Sequence, residues 1–537
     1  MPPFASRIPV SPASGVSGLL AAVDWVVIGV YIGGLIILGL AMSRRHVGPA
    51  DYFLASRATR WPAIGLAMLA SNMSSTALVG LAGGAYAIGI SVYDYEWTAT
   101  VILVFFCLFL LPFVIQSRTF TMPEFLERRY DRRVRVHFAL MSLFLIILVD
   151  AAGVLYSGAL VCRLLFPAWP LWWIVAALAA AAGLYTTFGG LRAVIYTEAV
   201  QAIVLLAGAL MISISAFSRA GGWHAVMTGV NPAAISLIRP IGDAGVPWPG
   251  LLFGIPLLGF YYWCTNQSIV QRVLSAKDLD NARWGALFAG LLKLPVLFLI
   301  VLPGTCALLL FPHLPKPDTV YPTLILRLLP AGLIGLVVAG FVASTMVSIA
   351  SMLNSASTLI TMDVVRQLNP ALSDRRIVRV GQWCTVALLA AAVAWAPQLQ
   401  SFPSLWQYLQ AVLAYVVPPV VALFLCGMCW RGATADGASA TMLIGSLCGL
   451  ALFLSNVVFR WTHIHFLYAA PILTAVDVGI LAAVSSLRPR ERSPASRMWQ
   501  ASFGRAENLH GRPLWQDYRI LGAGLLALTA AIVIIFR

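Results

Sequence analysis

The sequence predicts an all-α polytopic membrane protein of about fourteen transmembrane helices. Three observations carry that prediction. The 537 residues are 60% hydrophobic and only 10% charged, against about 25% charged in a soluble domain. The apolar runs are long enough for helices that cross a bilayer and lack the short alternating pattern of β-barrel strands. The 35 Lys and Arg are also sorted: loops after odd-numbered segments hold 26 of them, the N-terminal region and the remaining loops seven. Positive loops stay in the cytoplasm. An even number of spans with both termini outside a cell (inner) membrane is therefore expected, in a single transmembrane domain over 1–537.

The segments run approximately 22–42, 61–90, 97–115, 136–166, 171–187, 192–217, 249–270, 284–311, 330–362, 380–397, 404–428, 437–458, 466–487 and 518–536. The first lacks the basic leader of a cleaved signal peptide and reads as a retained span. The second is apolar at both ends, but Ser71-Asn72-Met73-Ser74-Ser75 lies in its middle, with Gly80, Gly83 and Gly84 beyond. That pattern suits a helix that opens at mid-membrane and offers backbone groups to a ligand. It also suits a small-residue packing face. In the loop after the third segment, Thr121-Met122-Pro123-Glu124 predicts a short cytoplasmic amphipathic helix capped by Thr121, with Pro123 near its start.

The seventh segment is interrupted too, by Pro256, Gly259 and Thr265-Asn266-Gln267-Ser268. It lies five segments after the second, and five is odd, so the two enter the membrane from opposite sides. Two five-helix units of inverted topology, 61–217 and 249–428, would produce this spacing. The helices of 437–537 would be additional. No residue-level repeat accompanies the pattern.

Several polar residues fall inside apolar segments. Lys293 is ten residues from Arg283, roughly 15 Å deep at ~1.5 Å per residue. A lysine at that depth costs at least ~2.5–3.5 kcal/mol, so it needs a carboxylate partner or a polar cavity. Glu96 follows the second segment, as a headgroup-level carboxylate or a site residue. Gln410 lies among Trp406, Tyr408 and Tyr415; an amide beside aromatics suits a sugar, which has hydroxyls to bond and an apolar face to stack. Glu198 could pair with Arg192, snorkel or face an ion path. Ser344, Ser348, Ser351 and Ser355 recur on one helix face, for packing or as oxygen ligands for a hard cation.

Other classes find little support. The net charge of +15 is spread over short loops, which does not suggest nucleic acid. The Arg-rich loop 488–519, with Trp499 and Trp515, suits membrane lipids or a solvated tether. The eight cysteines lie mostly in apolar runs, and the Cys426/Cys429 pair has no second pair beside it, so packing is expected. No nucleophile–base pair or metal cluster is visible, and His463 and His465 read as interfacial. No enzyme, catalytic residue or cofactor is expected.

Certain stretches carry a family likeness. They are Asp51-Tyr52-Phe53-Leu54-Ala55, Tyr93 to Trp97, Gly189 to Ala193 running into Tyr196-Thr197-Glu198, Asn266-Gln267 with Gln271-Arg272, and Ser351 to Ser355. Together they make the chain resemble the sodium/solute symporter family over nearly its full length, most like its sodium–glucose/galactose branch. The resemblance implies a LeuT-type core and sodium-coupled uptake of a sugar or polyol by alternating access. It implies a solute site at Asn72, Glu96, Lys293 and Gln410, with Tyr262 as an inner aromatic gate and Leu81, Tyr95 and Trp406 as an outer cover. It implies a sodium site at the carbonyls of Ala70, Met73 and Ser344 and the Ser348 hydroxyl, with Glu198 nearby. Four positions depart from the pattern: Ala77 and Gly259 replace polar side chains, Val347 replaces a sodium-ligating hydroxyl, and Glu198 stands where aspartate is usual. They leave the solute open and raise H+ as an alternative coupling ion. A carboxylate or amino-acid symporter of the same fold is the first alternative function. A membrane ligand sensor is the second, weakened because no appended signalling domain is expected.

Overall fold

A computed structural model of the chain describes residues 20–42, 57–188, 191–487 and 513–537. These residues are nearly all helical. The principal helices are α1 Ala22–Met42, α2 Trp61–Asn72, α3 Ser75–Ile88, α4 Ile90–Ser117, α5 Met122–Arg129, α6 Arg132–Arg163, α7 Leu171–Phe188 and α8 Leu191–Arg219. The second half contributes α9 Gly250–Thr265, α10 Gln267–Leu274, α11 Leu279–Leu310 and α12 Leu333–Leu368, α13 Asp374–Trp395, α14 Leu405–Val416 and α15 Pro418–Cys429. The chain closes with α16 Ala435–Val458, α17 Phe466–Leu487 and α18 Tyr518–Ile535.

Among the described residues, nine helices are long and apolar enough to cross a membrane, or eleven if two bent pairs each count as one span. Three shorter apolar helices, Ala22–Gly34, Leu171–Gly183 and Gly250–Thr265, fall on the first, fifth and seventh sequence segments. Every predicted segment is therefore helical, while length and composition credit nine to eleven crossings. Helix ends also move: α4 starts at Ile90 where the sequence suggested 97, and α12 runs on to Leu368 through a wide-turned stretch, Leu359–Val365.

The first bent pair is the interrupted second segment. α2 ends at Asn72, α3 restarts at Ser75, and the axes differ by 58°. The short polar residues here compete with helix for their own backbone groups, and the last carbonyls of α2 lack helical donors. α3 ends at Gly89, whose φ of +80° favours glycine; a Cβ there would stand 2.4 Å from the Ala234 carbonyl oxygen. The seventh segment is broken as well. α9 stops at Thr265, and Asn266 is extended (ψ 123°) while its side chain accepts from the Ser268 N–H, 2.8 Å, to start α10. The second bent pair, α14 and α15 at 55°, was not anticipated. Pro418 and Pro419 remove two backbone donors in succession and turn the helix there.

The predicted capping of α5 is present: the Thr121 hydroxyl accepts from the Glu124 N–H at 3.2 Å, with Pro123 in the first turn. α5 is also a tie point. Thr121 donates to Asp363 at 2.8 Å, and Arg135 bridges Asp363 (2.6 Å) and Glu127 (2.5 Å). The Met122 N–H donates to Gln267 at 2.9 Å. Motif residues Gln271 and Arg272 of α10 meet Ser355 and Ser351 of α12 through hydrogen bonds. The stretches that carried the family likeness thus hold α5, α10 and α12 together at one end of the helix bundle. All eight cysteines are free thiols.

Candidate functional site

The break between α2 and α3 and the second half of α9 face one cavity. Its volume is about 90 Å³. Asn72 comes from the end of α2, Ala77 from α3, Tyr95 and Glu96 from α4, Gly259 and Tyr262 from α9, and Trp406 and Gln410 from α14. Residues more than 300 apart in sequence converge here, from α2, α3, α4, α9 and α14. α14 is held in place by Asp318, whose carboxylate accepts from the Leu405 N–H at 3.1 Å and from the Tyr156 hydroxyl at 3.5 Å. Burial pushes this loop carboxyl up to about 6 despite those donors.

Lys293 is fully buried and pairs with Glu96 at 2.5 Å. Its ammonium also donates to the Asn72 side-chain oxygen and lies 5.0 Å from the Trp263 ring centroid. The carboxylate partner open in the sequence reading is therefore Glu96, and Glu96 is itself buried at 2% exposure, not at headgroup level. Lys293 is not among the residues that line the cavity; it donates to Asn72 and Glu96, which are.

Tyr95 and Trp406 meet edge to face, ring centroids 5.4 Å apart, and close one side of the cavity. Leu81, grouped with them in sequence, is fully buried within the core and does not line it. Tyr262 lines the cavity as well, and it also lines a second, smaller cavity. The departures Ala77 and Gly259 both sit on the main cavity wall. A Cβ at Gly259 would stand 2.4 Å from the tip of Ile102, a contact a flexible side chain can yield.

Ala70 and Met73 lie at the carbonyl-rich end of α2, and Ser344 and Ser348 on α12; all four are buried. α8 packs against both helices. Ser348 and Ser71, the neighbour of Ala70, line the smaller cavity together, so the end of α2 faces α12 across it. Val347 is buried. The side chains of Glu198 and Arg192 lie outside the described residues, as do residues 488–512.

Asp150 is the site residue that the sequence reading missed. It lies in a wide turn of α6, Ile146–Ala151, and lines both cavities. A lone carboxylate in Leu148-Val149-Asp150-Ala151-Ala152 was itself a signal, since ionisable residues inside membrane segments are rare and usually functional.

Comparison with known proteins adds the family. The model of the sodium:solute symporter family matches residues 52–445. The chain is 32% identical to sodium/glucose cotransporter 4 of Danio rerio, over 87% of this chain and 79% of the relative. It is 33% identical to a sodium/mannose cotransporter of Bos taurus (88% and 87%) and 34% identical to sodium/myo-inositol cotransporter 2 of Oryctolagus cuniculus (81% and 72%). Its fold is similar to that of a Na+-coupled sialic acid symporter in a substrate-bound outward-open state, with a TM-score of 0.76 at 20% identity over 87% and 98% of the two chains. A nucleobase-cation-symport-1 family transporter is similar at a TM-score of 0.55 and 15% identity (84% and 99%). These likenesses show the LeuT-type fold.

Proposed function

The chain belongs to the sodium:solute symporter family, and from that premise we propose that it carries an uncharged sugar or polyol across the membrane together with sodium. The observation that carries the choice of solute is the state of Lys293. Its charge is already met by Glu96, and the cavity is lined by that paired carboxylate, two amides (Asn72 and Gln410) and aromatic faces. Those groups suit hydroxyls and a sugar ring. A carboxylate solute would instead need an unpaired cation, and the cavity holds a further carboxylate, Asp150. The relatives named for glucose, mannose and myo-inositol agree with this reading.

In the proposed cycle sodium is held by the carbonyls of Ala70, Met73 and Ser344 and the Ser348 hydroxyl, with Glu198 near. It draws α2 and α12 together and shapes the solute cavity. Tyr95 and Trp406 cover the outer side, and Leu81 backs them from the core. Release of sodium to the cytoplasm loosens α2 from α12, and Tyr262 then lets the solute follow. The ion's unequal affinity for the two states supplies the coupling. The units 61–217 and 249–428 are proposed as the inverted repeats that rock against each other, with 437–537 outside them. The charge bias of the loops supports both termini outside.

The test is competition in proteoliposomes. Labelled D-glucose, D-mannose or myo-inositol uptake is expected to be blocked by an excess of neutral sugars or polyols and unaffected by organic acids or amino acids. Gln410→Ala is expected to reduce uptake at least about tenfold, the loss of one good hydrogen bond in a desolvated site. Block by carboxylates, with Gln410→Ala unimpaired, overturns the reading.

A smaller effect tests the cover. A Cβ on Gly80 would stand 2.9 Å from the rigid Trp406 ring. Gly80→Ala is expected to push that ring off Tyr95 and raise the KM for solute several-fold, with membrane insertion unchanged.

A further inference from the structure

We infer that Asp150 and the smaller cavity beside it form a second sodium site, separate from the one assigned to Ala70, Met73, Ser344 and Ser348. The inference rests on the sodium-coupled reading above.

The cavity is small, about 10 Å³ open to the centre of a water-sized sphere, which is room for one occupant. Apart from Ser348, which belongs to the first site, its wall is rich in oxygen: the Asp150 carboxylate, the hydroxyls of Ser71 and Ser268, and the Asn266 side chain. Hard monovalent and divalent cations take such ligands. The Ser268 hydroxyl is the independent sign that an occupant belongs here. Ser268 is 7% exposed, and its Oγ has no hydrogen-bond partner. A buried hydroxyl without a partner is costly and uncommon. Ser268 lies in the first turn of α10, two residues after the extended Asn266, so the broken seventh segment presents this oxygen to the cavity.

The charge balance points the same way. Glu96 has Lys293, whereas Asp150 makes no ion pair among the described residues; its side chain bonds with Asn266. The buried Arg272 donates to the Ser268 carbonyl and the Ser351 hydroxyl. An unpaired carboxylate on the shared wall of two cavities is stabilised by a cation between them. That ion would sit next to Tyr262, which lines both cavities, so its departure would free the gate. The two breaks would then each hold one ion: α2 with α12, and α10 with Asp150 of α6.

The experiment counts sodium without requiring the solute. Equilibrium binding of 22Na+ to the purified full chain in lipid is expected to saturate at two ions per chain, and at one for Asp150→Asn. Ser268→Ala, which leaves the charge in place, is expected to keep two ions but weaken one of them about tenfold, the loss of one oxygen contact to a charge. Insertion and thermal unfolding in detergent identify a variant that fails to fold, in which case Ser268→Ala alone decides. One ion in both wild type and Asp150→Asn, with or without a proton bound at Asp150, overturns this inference and leaves the symport reading intact. No sodium bound at all overturns the symport reading itself.

Discussion

Lys293→Ala is expected to abolish solute uptake, by at least about a hundredfold, although Lys293 does not touch the cavity. The ammonium is fully buried and bonds Glu96 and Asn72 together. Removing one partner of a buried pair costs about 3–5 kcal/mol, because the other charge is left alone. Glu96 then either takes a proton or swings away, and Asn72 loses the donor that aims it. Both are cavity residues, so the solute loses two contacts through one substitution. The double variant Glu96→Gln/Lys293→Gln separates orientation from stability. It removes the unpaired charge, so its thermal unfolding is expected to return toward that of wild type while uptake stays at least about tenfold down, lacking a charge-assisted acceptor for the solute hydroxyls. Initial uptake rates alongside melting temperatures check both statements. Normal transport by Lys293→Ala would place the solute elsewhere.

The second large effect concerns the ion. Ser348→Ala is expected to raise the half-saturating sodium concentration roughly tenfold, one hydroxyl contact to a cation at about 1.5 kcal/mol. The KM for solute measured at saturating sodium should change little, because Ser348 does not line the main cavity. Sodium-activation curves of initial uptake make the measurement. An unchanged sodium dependence would remove Ser348 from the ion site.

Much of the scaffold was legible because its signals are local. Ser71 to Ser75 in an apolar run announced the break between α2 and α3, and Asn266 the one between α9 and α10. Thr121 with Pro123 announced the start of α5. What the sequence concealed depends on distant partners. The pairing of Lys293 with Glu96 spans 197 residues, and no pattern within either segment reveals which way a lysine near mid-helix points. Asp24 of α1 accepts from the Gly332 and Gly335 N–H groups, both at 2.7 Å, and so caps α12 from far away in sequence. Leu81 was named from the family likeness alone, and it is fully buried in the core. Asp150 was passed over because it sits alone, without a motif around it.

The central claim is that the broken α2–α3 pair and α12 share an ion whose movement drives an uncharged solute through the adjoining cavity. Solute counterflow and uptake in proteoliposomes, with a panel of sugars and polyols and with sodium present, absent or imposed as a gradient, tests it most directly. Accumulation of at least one neutral sugar or polyol above equilibrium, only under an inward sodium gradient and lost when choline replaces sodium, is the predicted result. Uptake that is indifferent to sodium, or driven by a pH gradient alone, would contradict it.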